Sequence, residues 1–153
     1  MKLRILKLHP NAQVPTYATD GSACFDLYAA TVEGVEVSSD AAPGYTTTIG
    51  TGLAFEVPVG FALMIYSRSG HGFRSYTRLV NCVGVIDSDY RGQVFVKLAT
   101  DPLDDRCGDI LTICPGDRIA QAMLVPIPRV TFEVAEQLSI TERGEGGFGS
   151  TGQ

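Results

Sequence analysis

Short apolar or alternating segments recur along nearly the whole chain, and each is cut off by a turn former before it reaches helix length. They fall at 3–8, 23–28, 32–37, 46–49, 52–57, 62–66, 79–86, 93–98, 110–113, 122–127 and 131–134. Between them stand Asp20-Gly21, Pro43-Gly44, Pro58-Val-Gly60, Ser69-Gly70, Pro115-Gly116-Asp117 and Pro126-Ile-Pro128. A buried strand needs only roughly four to eight residues, whereas a globular helix needs more, so this punctuation limits the chain to an all-β sandwich, jelly roll or barrel. The 17 glycines and 8 prolines supply the turns such a fold requires. Only 117–124 hints at a short helical or irregular turn.

At 153 residues, 44% of them apolar and 19% charged, the chain has the make-up of one soluble domain with its own core. No apolar run approaches the roughly 20 residues that span a bilayer. The start, Met-Lys-Leu-Arg-Ile-Leu-Lys-Leu, alternates as a strand does and lacks the unbroken apolar stretch of a secretory signal, so a cytoplasmic protein is expected. The formal charge is 12 − 17 = −5 with no basic run, which argues against general nucleic-acid binding. A small polyanion is still within reach of individual arginines and backbone N–H groups. Cys24, Cys82, Cys107 and Cys114 show no Cys-x-x-Cys pair, and His9 and His71 lie far from them, so a zinc site is not indicated and reduced, mostly buried thiols are expected. Residues 1–141 read as one β domain. Residues 142–153 carry too little apolar content to pack alone and read as a mobile glycine-rich arm until a ligand or partner orders it.

One stretch places an acid at the edge of this core. Asp87 follows the apolar run Val83-Gly-Val-Ile86 and precedes the turn-like Ser88-Asp-Tyr-Arg-Gly92, with a strand candidate beyond, which reads as a β-hairpin. An acid so placed is solvated, paired or chemically used, and for an arbitrary protein a turn acid bonding nearby N–H groups is the commoner case. Asp87-x-Asp89-x-Arg91 begins like a calcium loop, but Arg91 and Leu98 stand where ligands belong. Gly144-x-x-x-x-Gly149 has the spacing of a phosphate loop, yet Ser150 replaces its lysine and too few residues follow for its helix. Glycine N–H groups with Arg143 could still hold phosphate, and Phe148 has no core to enter. Tyr66-Ser-Arg-Ser-Gly-His-Gly72 ends a strand in a polar loop where Arg68 could clamp a phosphate or form a surface ion pair, and where His71 reads as structural or exposed. Gly116-Asp-Arg-Ile-Ala-Gln121 repeats the pattern of a turn followed by Arg and Gln.

Taken in order, these segments resemble the five motifs of the trimeric dUTP diphosphatases. Ala18-Thr-Asp-Gly-Ser-Ala-Cys-Phe-Asp-Leu27 is similar to the first and Ser67-Arg-Ser-Gly70 to the second. Asn81-Cys-Val-Gly-Val-Ile-Asp-Ser-Asp-Tyr-Arg-Gly92 is similar to the third, Gly116-Asp-Arg-Ile-Ala-Gln121 to the fourth and Arg143-Gly-Glu-Gly-Gly-Phe-Gly-Ser-Thr-Gly152 to the fifth. The resemblance implies a distorted jelly-roll (β-clip) subunit, a homotrimer with shared active sites, and Mg²⁺-assisted hydrolysis of dUTP to dUMP and diphosphate, which lowers dUTP and supplies dUMP for thymidylate synthesis. It implies that Asp87 activates the attacking water and that Asp26 meets the metal's waters. Gly84, Val85 and Ile86 would receive uracil through their backbone, with Asn81 near the base and Tyr90 under the deoxyribose, leaving no room for a 2′-hydroxyl. Arg68, Ser69, Gly70 and Gln121 would contact phosphates. The arm would close over a neighbouring site with Phe148 on uracil, flanked by Gly147 and Gly149, and with Arg143, Ser150 and Thr151 at the γ-phosphate.

Ser67, Cys24 and Val80 depart from the family's usual residues, and 71–78 and 101–109 differ from its common loops. Two related readings stay open: a regulatory binding protein that keeps the nucleotide site as a switch and answers to a protein partner, and a dCTP deaminase relative. The intact Ile86-Asp-Ser-Asp-Tyr90 argues against the second, and a structural jelly roll would give no reason for 143–152.

Overall fold

The computed structural model describes residues 1–37, 45–101, 112–147 and 150, with the backbone alone at 34–37. Among them, strands β1 (Arg4–Lys7), β2 (Thr16–Tyr17), β3 (Phe25–Tyr28), β4 (Thr31–Val37), β5 (Tyr45–Gly50), β6 (Leu53–Glu56) and β7 (Phe61–Tyr66) lead to a helix, α1 (Ser69–Ser75). Strands β8 (Thr77–Leu79), β9 (Val83–Ile86), β10 (Phe95–Thr100) and β11 (Arg118–Pro126) follow. They form a five-stranded sheet in the order β2-β3-β11-β7-β9, a four-stranded sheet β4-β5-β10-β8 and a β1-β6 pair. This is a nearly all-β jelly roll, as the strand-and-turn punctuation requires.

One apolar cluster joins the sheets. Phe25, Leu27, Leu63, Ile65, Ile119 and Ala122 come from the five-stranded sheet, Ile49, Leu79, Val96 and Leu98 from the four-stranded one, and Leu53 and Phe55 from the pair. Burial of each large side chain stabilises the fold by roughly 1.5–3 kcal/mol. Gly52 lets the chain turn inside this cluster: its φ is +66°, and a Cβ there would meet the Cβ of Ala12 at 2.8 Å and of His9 at 2.9 Å.

Several expectations are corrected. The run 79–86 is two strands, broken where Cys82 takes a φ of 62°. The Asp87 stretch is no closed hairpin: β9 pairs only β7, while β10 crosses to the other sheet and pairs β5 and β8. Residues 118–124 lie in strand, with Asp117 just before it, rather than in a helical turn, and the reason is a bulge. The register against β3 shifts between Arg118↔Tyr28 and Ala120↔Leu27, so Ile119 and Ala120 are both buried and the apolar spacing mimics a helix. The polar loop after Arg68 is α1, a single short helix with no buried residue, closed by Tyr76 in the left-handed region (φ 50°, ψ 32°).

The segment 131–134 forms no strand, because nothing in the described chain pairs with it, and Phe132 and Val134 stand fully exposed. Of 110–113, the first two residues lie outside the described set, and Thr112 and Ile113 are not in a strand. Cys24, Cys82 and Cys114 are free thiols, but Cys82 and Cys114 are exposed rather than buried, and Cys107 lies outside the described residues. No helix among the described residues is long and apolar enough to cross a membrane.

Candidate active site

Strand register assembles one end of the site. Phe25 and Leu27 face the core, so Asp26 points to the opposite face of β3. Gln121 of β11 lies opposite Asp26 on one side and opposite Tyr66 of β7 on the other. Its Nε2 donates to the Ser67 carbonyl at 2.9 Å, which ties the chain leaving β7 to the same row. Ser67 Oγ accepts from Leu79 N–H at 2.9 Å, so the residue at this departure from the family's usual one anchors the loop. The bulge at Ile119 then brings Arg118, two positions before Ala120, onto the face of Asp26 and Gln121 rather than that of Ala120.

The result is a charge cluster. Arg68 Nε meets Asp26 Oδ1 at 3.0 Å, and Arg118 Nη1 meets Asp26 Oδ2 at 3.2 Å. Asp26 is 13% exposed, Arg68 21% and Arg118 half-exposed. Arg68 Nη1 also donates to the Arg118 carbonyl at 3.4 Å. Asp26, Arg68, Ser69, Gly70, Arg118 and Gln121 line a cleft of about 350 Å³, together with Ser22 and Cys24. Two cations on one carboxylate leave a positive surplus there, suited to an anion. Burial raises the Cys24 thiol, and the Asp26 carboxylate raises it further, so it stays protonated. Burial lowers His71 below its ordinary value, Arg68 and then Arg118 lower it too, and Asp117 opposes them. Its Nδ1 is buried without a partner.

The predicted residues divide into separate groups. Val85, Ile86, Asp87 and Tyr90 line a different cleft of about 300 Å³ with Gln93, Val94 and Phe95, and Asp87 also borders a third of about 660 Å³. Because β10 does not cover it, β9 is the open edge of its sheet, and its outward backbone donors and acceptors are available to a ligand. Gly84 is buried in that strand, where a Cβ would come to 3.1 Å from Ile65 Cβ. Tyr90 donates from its hydroxyl to the Gln93 carbonyl at 2.9 Å, and its N–H reaches the Asp87 carbonyl at 3.3 Å. Asn81 is exposed at the other end of β9, beside the chain leaving β7. In the arm, Arg143 Nε donates to its own Gly146 carbonyl at 2.7 Å and Ser150 N–H to the Gly147 carbonyl at 3.0 Å. Phe148, Gly149 and Thr151 lie outside the described residues.

The two ends lie far apart along one chain. Ile86 pairs Leu63, so Asp87 stands one step before that pair and Arg68 five steps after it. Six steps of about 3.3 Å place them on the order of 20 Å apart along extended strands. Among the described residues no group of three or more His, Cys, Asp or Glu side chains could hold a metal ion, and both Asp26 oxygens are on guanidiniums. A divalent ion would therefore have to arrive with its own oxygen ligands, such as those of a phosphate chain and water.

Geometry of this kind defines a class: an all-β jelly roll with paired arginines in a cleft on one sheet and a carboxylate-bearing strand edge at that sheet's far end. A sequence profile of the dUTPase family matches residues 10–152, and the chain belongs to that enzyme family. It is 42% identical over 153 residues to a deoxyuridine 5'-triphosphate nucleotidohydrolase of Nautilia profundicola, covering 100% of both chains. It is 44% identical to that of Escherichia coli K12, covering 92% of this chain and 87% of the other. The dUTPase of Staphylococcus bacteriophage 80alpha, solved with dUpNHpp, superposes with a TM-score of 0.83 at 27% identity and 99% coverage of each chain. The family is generally divalent-metal dependent.

Arg118 was not among the residues expected at the site. Its motif was legible, but the bulge that aims it interrupts the alternation that would have exposed its face.

Proposed function

We propose that the protein hydrolyses dUTP to dUMP and diphosphate at sites shared between copies of the chain in a homotrimer. The separation of Asp87 from Arg68 on one strand pair carries this reading: a second copy must bring one end to the other. The relatives' name as deoxyuridine 5'-triphosphate nucleotidohydrolases supports the substrate.

The phosphate chain lies against Arg68, Ser69, Gly70 and Gln121, whose donors hold it in place. Uracil adds to the open edge of β9 through the backbone of Gly84, Val85 and Ile86 near Asn81, and Tyr90 packs under the deoxyribose. Asp87, exposed beside that edge, takes a proton from a water as its oxygen attacks the α-phosphorus. The bond to the bridging oxygen breaks and diphosphate leaves. Mg²⁺, when bound to the phosphates, offsets their charge and makes the phosphorus more electrophilic. The arm, 142–153, is a separate segment that closes over a neighbouring site. Arg143 exchanges its local bond to Gly146 for phosphate, Gly147, Gly149, Ser150 and Thr151 line the chain, and Phe148 covers the base.

Asp87→Asn tests the reading. Turnover should fall by roughly 10²–10⁴, the worth of a general base, while affinity for a non-hydrolysable dUTP analogue stays within a few-fold. Near-wild-type turnover would sink the role of Asp87, and ammonia release from dCTP would move the protein to the deaminase relatives. A second reading, a nucleotide-gated regulator, draws on the 80alpha dUTPase, described as controlling transfer of virulence genes. At 26% identity that relative is more distant than the bacterial enzymes.

A further inference from the structure

The anion cleft holds a cation that none of the roles above uses. Arg118 lines the same wall as Arg68, Ser69, Gly70 and Gln121 and shares their face only because of the β11 bulge. We propose that Arg118 is a second guanidinium clamp on the phosphate chain, and that Asp26 is the anion it exchanges for phosphate when the chain enters.

Three observations carry this. A guanidinium has five donors in a planar fork; Arg118 places Nη1 on Asp26, and half of its side chain faces solvent. The two arms of the cluster are unequal. Arg68 holds Asp26 with only 21% of its side chain exposed, whereas Arg118 holds it with 50% of its side chain in solvent, where an ion pair is screened and worth little. The arm to Arg118 is thus the one that opens more readily. Finally, one carboxylate stands against two guanidiniums, and a phosphate chain brings more negative charge than the carboxylate it displaces. Asp26 then keeps Oδ1 on Arg68, and its Oδ2 would be free to accept another hydrogen bond. The plainer account is that Asp26 and Arg118 form a surface ion pair of small worth, indifferent to ligand.

The two accounts separate on titration of the full chain with inorganic diphosphate, without metal, followed calorimetrically. Arg118→Gln should weaken diphosphate binding by roughly tenfold to a hundredfold, and Arg118→Lys, which keeps the charge but loses the fork, by less. Asp26→Asn removes the competing anion and should tighten metal-free diphosphate binding, whereas a carboxylate that merely positions the arginines would weaken it when lost. Thermal midpoints confirm that each variant is folded; should Arg118→Gln fail to fold, Arg118→Lys and Asp26→Asn decide the matter. The proposal is overturned if folded Arg118 variants bind diphosphate like wild type, if Asp26→Asn binds it more weakly, or if wild type binds none. The inference rests on the proposed function only for the nature of the anion. Arg118-dependent diphosphate binding by a protein that does not hydrolyse dUTP would therefore defeat that function and leave the clamp standing.

Discussion

Tyr90 is held by its own turn, and Gly92 is what permits it. A Cβ at Gly92 would lie 2.6 Å from Tyr90 Cζ, closer than packed carbons come, so Gly92→Ala must push the ring off its bond to the Gln93 carbonyl. If Tyr90 excludes a 2′-hydroxyl, this variant should lower the ratio of kcat/KM for dUTP over UTP by about tenfold, one bond's worth; an unchanged ratio would remove Tyr90 from sugar selection. His71 makes a prediction of opposite kind. Its folded value lies below the ordinary 6.5 because of burial and then Arg68, so the unfolded chain binds more protons across the window below 6.5. Stability is full above that window and is lost as pH falls through it. His71→Gln should therefore lose less thermal midpoint than wild type between about pH 7.5 and about pH 5.5. Equal losses would show that His71 is ordinary in the folded state.

Among the elements, the arm and the open edge of β9 carry the most consequence. Residues 130–147 bury nothing in the described fold except at Gly146 and Gly147, which are half-buried. Val130, Phe132 and Val134 alternate like a strand with no strand partner among the described residues. Truncation before Arg143 should leave the thermal midpoint nearly unchanged and reduce turnover by roughly 10² or more, read by steady-state hydrolysis of dUTP. Retained activity would refute the closing arm. Periodicity made most strands legible, since alternation at β3 and β10 follows directly from which side chains must be buried, and β7 reads as a short unbroken apolar run. It failed at β11 and β9 for a shared reason. A bulge and a sheet crossover are set by partners distant in sequence, and no local window contains them. Helix α1 was missed because two glycines and no buried face give it almost no local signal.

At the scale of the whole molecule, the proposed sharing of sites between chains can be tested directly. With the anion cleft and Asp87 about six strand steps apart, two differently disabled chains should repair one another when mixed. An Asp87→Asn chain and an Arg68→Gln chain, each nearly inactive, should after co-refolding recover up to about a quarter of wild-type turnover through sites that draw one intact end from each. No recovery in demonstrably mixed oligomers would place the complete site within one chain.

The order of residues was enough to determine the β class, the family and which side chains carry charge, because patterning and motif spacing are local and survive without a fold. Only the tertiary structure decided that Asp26 lies between two arginines, that β9 keeps an open edge, and that Asp87 stands at the far end from Arg68. Those facts depend on register and on strand exchange between sheets, where one residue's slip reverses a face.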